Sequence, residues 1–152
     1  GAPVDILPVV EGISRTLQRI HRDRSIAIET HVPAALKFRG ERQDLEEMIG
    51  NLMDNAAKWC RNAVSLKVAP SANRHGRSFL EIIVEDDGPG IPEDQRAIAV
   101  ERGKRLDETK PGSGLGLNIV SEMAAMYGGA VLLETSALGG LRVRLVLPAV
   151  AD

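Results

Sequence analysis

The 152-residue sequence predicts an α+β fold, with a mixed, mostly antiparallel sheet and its helices on one face. Two observations carry that prediction. The elements read helix, two strands, helix, two strands, loop, helix, two strands, so strict βαβ alternation fails and strands fall in adjacent pairs. The composition, 43% hydrophobic and 26% charged, is that of a globular domain with a real core rather than a disordered chain. No internal repeat or linker divides residues 1–152, which read as one domain.

Each element has its own signal. Leu7, Val10, Ile13, Leu17 and Ile20 recur at three- and four-residue spacing and predict an amphipathic helix over 7–22. Ser25 to His31 alternates as a strand, Pro33 ends it, and Leu36-Lys37-Phe38 reads as a short second strand. Leu45, Met48, Ile49, Leu52 and Ala56 form the apolar face of a second helix from Glu41 to Cys60. Val64 to Val68 alternates as a strand, and Ser71 to Arg77 resembles a hairpin turn built on Asn73 and Gly76. Phe79 to Val84 is the most apolar strand and belongs at the centre of the sheet. Residues 92–112 hold five acidic and five basic side chains and a short helix at 93–101. Leu115 to Tyr127 is a third helix stopped by Gly128-Gly129. Val131–Thr135 and Leu141–Leu147 close the chain around a Gly139-Gly140 turn.

Several functions are excluded early. A formal net charge of -2 gives no basic excess for nucleic acid or an anionic membrane surface. One cysteine, Cys60, excludes an internal disulfide and every Cys-cluster metal site. No apolar run approaches the roughly 18 residues of a membrane helix, and no signal-peptide pattern opens the chain. A soluble, cytoplasmic domain without direct membrane contact is expected. His21, His31 and His75 lack metal-ligand spacing, and neither a Gly-x-Ser-x-Gly elbow nor a Walker loop occurs.

Three constellations remain. Asn51, Asn55, Lys58 and Trp59 share one side of the second helix. Alone they fit a solvated face as well as a site where amide oxygens ligate a hard cation and Lys58 meets phosphate. Asp86-Asp87-Gly88-Pro89-Gly90 follows the apolar strand; its residues are turn formers, yet a plain turn does not need two aspartates. Gly112-Ser113-Gly114-Leu115-Gly116-Leu117 precedes the third helix, where backbone N–H groups can approach a phosphate at a helix N-terminus. Between Gly88 and Gly116 lie six glycines and three prolines, the density of a loop built for a task.

Taken in this order, the three resemble the N, G1 and G2 boxes of the ATP-binding catalytic domain of bacterial sensor histidine kinases. That family lies within the gyrase/Hsp90/histidine-kinase/MutL (GHKL) ATPase superfamily. The run Glu85-Asp-Asp-Gly-Pro-Gly-Ile-Pro92 with Arg102-Gly-Lys-Arg105 is most similar to PhoQ-type kinases. The resemblance spans residues 4–148. It implies a Bergerat-type two-layer sandwich of about five strands and three main helices, with an ATP lid at about 92–112.

The resemblance also implies roles. Asn55 ligates Mg²⁺, with Asn51 as a further contributor; Lys58 contacts phosphate and Arg105 the γ-phosphate. Asp86 accepts from the adenine amino group, Gly88 belongs to the same box, Gly90 and Ile91 border the base, and Trp59 stands near the nucleotide. Gly112, Ser113, Gly114, Leu115, Gly116 and Leu117 form the phosphate loop. Three departures stand out: Val100 or Ala99 in place of an F-box aromatic, Ser113 in place of a glutamine, and Lys110 in place of a lid arginine.

ATP-hydrolysing relatives place a glutamate base where this chain has Asn51, so the resemblance favours phosphotransfer over hydrolysis. None of the three histidines has the family's acceptor context. The expected partners are therefore a dimerisation and histidine phosphoacceptor domain of the same parent, an inner-membrane sensor, and a response regulator. Two other readings stay open: a nucleotide-binding signalling module without transfer activity, and an anti-sigma-factor-like serine kinase.

Overall fold

The computed structural model describes residues 2–101 and 116–150. In chain order these form β1 (Pro3–Asp5), α1 (Ile6–Ile20), β2 (Ala27–His31), β3 (Lys37–Arg39), α2 (Arg42–Trp59), β4 (Ala63–Arg74) and β5 (Arg77–Asp86). A 3-10 turn at Glu93–Gln95 leads into α3 (Arg96–Val100), followed by α4 (Leu117–Met126), β6 (Ala130–Thr135) and β7 (Leu141–Pro148). Among the described residues, five strands make one mixed sheet in the order β2-β4-β5-β7-β6. The β2–β4 pairing is parallel, with Ala27 opposite Ala63, and the other three are antiparallel.

The helices cover one face of the sheet. α2 lies on β4 and β5, α4 on β6 and β7, and α1 packs against α2. The three-to-four spacing on α2 puts Leu45, Met48, Ile49, Leu52 and Ala56 into the core against Leu66, Leu80, Ile82 and Leu145. Each large side chain so buried stabilises the fold by roughly 1.5–3 kcal/mol. The central position of β5 agrees with its sequence. Leu80, Ile82 and Val84 face the core, and Ile83 on the opposite side is buried as well.

Two expectations about strands are corrected. Leu36–Phe38 does not add a strand to the main sheet; β3 pairs instead with β1, Val4 standing opposite Phe38. Three residues are too few for a period-two pattern, so β1 left no signal in the sequence. The supposed turn at Ser71–Arg77 is mostly strand. β4 runs to Arg74 and β5 begins at Arg77, with a bulge near the tip. The tip itself is His75-Gly76, with φ of 51° and 76°, the left-handed pair that a tight hairpin demands. Exposed hairpin arms tolerate polar residues, which is why turn chemistry and strand chemistry looked alike there.

The third helix is described from Leu117, with Gly116 in the left-handed conformation at its start. Gly129 donates its N–H to the Ala124 carbonyl and closes the helix, as the glycine pair predicted. No helix among the described residues is long and apolar enough to cross a membrane.

Candidate functional site

α2 carries the first set of side chains toward the loop that follows β5. Asn55 is buried to 7% exposure, yet its carboxamide has no hydrogen-bond partner among the described residues. A carboxamide with no protein partner is open to water or to a ligand. One turn earlier, Asn51 donates from Nδ2 to the Glu47 carbonyl at 2.9 Å. Its Oδ1 abuts the start of α4, where a Cβ on Gly116 would lie 2.7 Å away. Gly116 also has φ of 73°, so only glycine suits that position on both counts. The first and third sequence motifs therefore meet at Asn51 and Gly116.

Lys58 and Trp59 complete the helix end. Lys58 Nζ stands 3.1 Å from Asp54 Oδ2, and both side chains are about half exposed. Such a surface pair contributes little, so the ammonium can exchange Asp54 for another anion. Trp59 is partly buried, and its indole N–H is buried without a partner.

The second wall comes from the end of β5. Asp86 is buried to 4% exposure. Its Oδ1 accepts from the N–H of Gly88 at 2.8 Å and from that of Leu141 at 3.4 Å. Oδ2 has no hydrogen-bond partner among the described residues. Burial pushes the Asp86 carboxyl above its ordinary pKa; the Gly88 and Leu141 amides pull it partly back, and the Asp87 charge adds to the rise.

Asp87 points the other way and behaves differently. Its Oδ1 accepts from the N–H groups of Arg61 at 2.7 Å, Asn62 at 3.1 Å and Ala63 at 3.2 Å. Burial would raise this carboxyl too, but the amides of Ala63, Asn62 and Arg61 outweigh it and hold the pKa below its ordinary value.

Glycines let these pieces approach. A Cβ on Gly88 would collide with the Trp59 carbonyl oxygen, so the loop after β5 touches the end of α2. Gly90, at φ of 72°, lies against the main chain of Gly140. Gly140 in turn donates its N–H to the Asp86 carbonyl at 3.1 Å and leaves no room for a Cβ beside Oδ1. Ile91 is a core residue whose carbonyl accepts from Arg96 Nε at 3.0 Å. The Arg96 Nη2 donates to Thr135 Oγ1 at 2.7 Å, joining the start of α3 to β6.

Among the sequence-predicted site residues, Asn51, Asn55, Lys58, Trp59, Asp86, Gly88, Gly90 and Gly116 line this junction of α2, α4 and the end of β5. Leu117 is fully buried in the core. Arg105, Gly112, Ser113, Gly114 and Leu115 lie outside the described residues. Val100 and Ala99, noted for replacing an aromatic, pack against the core at the end of α3.

Sequence reasoning missed three contributors. Gly139-Gly140 was read as a turn, but Gly139 alone takes the turn conformation, at φ of 106°, while Gly140 makes the close approach. Leu141 supplies an amide to Asp86. Arg24 donates to the Ala57 and Cys60 carbonyls at the end of α2, 2.8 and 2.7 Å away. No local pattern announces an interaction between residues more than thirty positions apart.

The donor set has a definite chemistry. An unpaired amide beside a lysine suits a hard cation and the phosphate it accompanies. A carboxylate oxygen with no donor among the described residues accepts from an N–H and disfavours a carbonyl.

Over residues 40–151 the chain matches the family described as "Histidine kinase-, DNA gyrase B-, and HSP90-like ATPase". The chain belongs to this family. Sensor protein kinase CarS of Pseudomonas aeruginosa is 43% identical over 97% of the chain and 32% of its own length. Virulence sensor histidine kinase PhoQ of Salmonella typhimurium is 33% identical over 93% of the chain and 28% of its own length. The chain thus spans about a third of the curated relatives it matches. Among solved structures, the mycobacterial sensor histidine kinase MprB superimposes with a TM-score of 0.75 at 31% identity, covering 99% of both chains. The ATP-binding domain of PrrB from Mycobacterium tuberculosis gives 0.74 at 27% identity, covering 99% of this chain and 98% of that one. Full-length ShkA in complex with AMPPNP gives 0.77 at 28% identity, covering 99% of this chain and 31% of that one. The fold is that of the GHKL histidine-kinase catalytic domains, as the motifs implied.

Proposed function

We propose that this chain is the catalytic ATP-binding domain of a sensor histidine kinase. It binds Mg-ATP and hands the γ-phosphoryl to a histidine on a separate dimerisation domain of its parent. Asp86 carries the reading: a buried carboxylate has one oxygen satisfied by Gly88 and Leu141 and the other left without a partner among the described residues. That free oxygen can accept from the exocyclic amino group of adenine, and it repels the carbonyl that guanine presents there.

The other residues present fit the rest of Mg-ATP. The unpaired Asn55 amide is a suitable oxygen ligand for Mg²⁺, with Asn51 beside it. Bound there, the cation neutralises charge on the phosphates. Lys58 is proposed to exchange Asp54 for phosphate oxygen, and the start of α4, where Gly116 provides no side-chain cap, to turn main-chain N–H groups to an anion. In the transfer, an imidazole nitrogen of the acceptor forms the new N–P bond while the bond to ADP breaks. An asparagine at position 51 cannot take a proton from water, so the site lacks the general base that hydrolysis needs there. Arg105 and the glycines from Gly112 are proposed to meet the phosphates, and residues 92–112 to act as the lid over one domain of residues 1–152. A response regulator is the proposed recipient downstream, and the parent is proposed to be an inner-membrane sensor with this domain in the cytoplasm.

Calorimetry on Asn55→Ala tests the site. The variant should keep its fold, with stability changed by ~0.5 kcal/mol or so, and lose most Mg-dependent ATP affinity. Identical titrations for variant and wild type would remove Asn55 from the site. Incubated alone with labelled ATP, the chain should take up no stable label, whereas a helical histidine domain added in trans should. Stoichiometric acid-labile label on the isolated chain would show that His21, His31 or His75 is an acceptor.

A further inference from the structure

The seven residues from Ala57 to Ala63 are held from both sides by charged groups that do not line the crevice. On one side the Arg24 guanidinium donates to the Ala57 and Cys60 carbonyls, the negative end of α2. On the other side the Asp87 carboxylate accepts from three consecutive N–H groups, Arg61, Asn62 and Ala63. Three successive amides turned toward one anion form a nest, an arrangement that binds a carboxylate firmly. Main-chain bonds complete the hold: Asp87 N–H to the Ala63 carbonyl at 3.3 Å, and Ala27 N–H to the Asn62 carbonyl at 2.7 Å.

A loop between a helix and a strand does not need two buried-side charges to make its turn. This segment carries Lys58 and Trp59, and it contacts the loop that presents Asp86, through Gly88 against the Trp59 carbonyl. Asp87 is the first residue beyond β5, and its carboxylate turns to the amides of Arg61, Asn62 and Ala63 while that of Asp86 turns to Gly88 and Leu141. Its grip therefore ties the strand end bearing Asp86 to the helix end bearing Lys58 and Trp59.

We propose that Asp87 and Arg24 are positioning residues that hold the end of α2 in register with Asp86, setting nucleotide affinity and base selectivity without touching the nucleotide. The proposal rests on the nucleotide reading of Asp86. A clamp that served folding alone would change the unfolding midpoint and leave the binding properties of the folded chain as they were.

The full chain can be assayed as Asp87→Asn, Asp87→Ala and Arg24→Lys. Asp87→Asn keeps an acceptor oxygen without the charge, and Arg24→Lys keeps the charge without the two-armed reach. Circular dichroism fixes a temperature at which each variant is folded, and Mg-ATP and Mg-GTP are titrated there by calorimetry. Trp59, the sole tryptophan, reports the helix end through its emission before nucleotide is added. The folded variants should bind ATP roughly fivefold or more weakly, as one lost net hydrogen bond implies. Their preference for ATP over GTP should narrow and Trp59 emission should shift to the red. If Asp87→Ala does not fold, the two conservative variants carry the comparison. Folded variants with wild-type affinity, selectivity and emission would overturn the clamp while leaving the ATP reading intact. A wild-type chain that binds neither nucleotide would overturn both.

Discussion

Asp86 ends β5, Asp87 is the first residue beyond it, and the two live in opposite environments. Asp86 is buried with one oxygen still unpaired, so its charge is an expense the fold bears. Asp87 is only partly buried and receives three amides, so its charge is a gain. The strand ends between them: the Asp86 carboxylate stays against Gly88 and Leu141, and that of Asp87 enters the junction between α2 and β4. The difference separates a carboxylate with an oxygen open to a donor, the one proposed to bind, from a carboxylate spent on holding the main chain. Residue type alone does not separate them.

The comparison breaks most readily at Asp86. Asp86→Ala should weaken ATP by about tenfold or more, since a hydrogen bond to a charged group contributes about 1.5–3 kcal/mol. Its stability balances relief of a buried charge against loss of the acceptor for the Gly88 and Leu141 amides, so the ATP titration is the reading that decides. Unchanged ATP binding, or GTP binding as tight as ATP in the wild type, would sink the assignment of the base pocket. A second blow falls through Gly140, which has no space for a Cβ beside Asp86. Gly140→Ala should lower unfolding free energy by about 1–3 kcal/mol and disturb ATP binding with it. Gly139→Ala, which meets nothing nearby, should leave binding alone.

The pH dependence of stability sharpens the contrast, because the two carboxylates contribute with opposite sign. Asp87 titrates below its ordinary 3.8 in the folded chain, so its contribution is complete above 3.8 and is lost as pH falls through the folded value. Asp86 titrates above 3.8 when folded, so the folded state holds the extra proton and stability falls as pH rises through that window. Urea midpoints measured across acidic pH should show Asp87→Asn losing the rise below 3.8 and Asp86→Asn losing the fall above it. Parallel profiles for the two variants would mean that the environments do not differ as the geometry says. The smallest effect concerns Lys58. Asp54→Ala removes a half-exposed ion pair and should change stability by no more than ~0.5 kcal/mol. ATP affinity should hold or rise, because Lys58 no longer has a competing carboxylate; a large loss would show that Asp54 itself belongs to the site.

Trp59 extends the same lesson to a neutral donor. Its indole N–H is buried without a partner and it follows Lys58 at the end of α2. A saturable change of its emission with Mg-ATP, absent in Asn55→Ala, would tie it to the nucleotide. No change despite calorimetric binding would leave it a packing residue.

Much of this molecule was legible in its residues. Apolar spacing of three and four located the helices, and the continuous apolar run of Phe79–Val84 located the central strand, because burial on one face or two leaves a periodic trace in sequence. The three motifs pointed to the family, because Asn, Asp and Gly are poor choices for their elements unless a ligand or a tight approach requires them. What the residues did not disclose is partnership over distance. The pairing of β1 with β3, the place of Gly140 under Asp86, and the hold of Arg24 and Asp87 on Ala57–Ala63 all join segments far apart in the chain. Periodicity and turn chemistry act between neighbours, whereas these contacts exist only once the sheet and helices have packed. Which of two identical carboxylates is fully paired, and which keeps an oxygen without a partner among the described residues, is settled at that level alone.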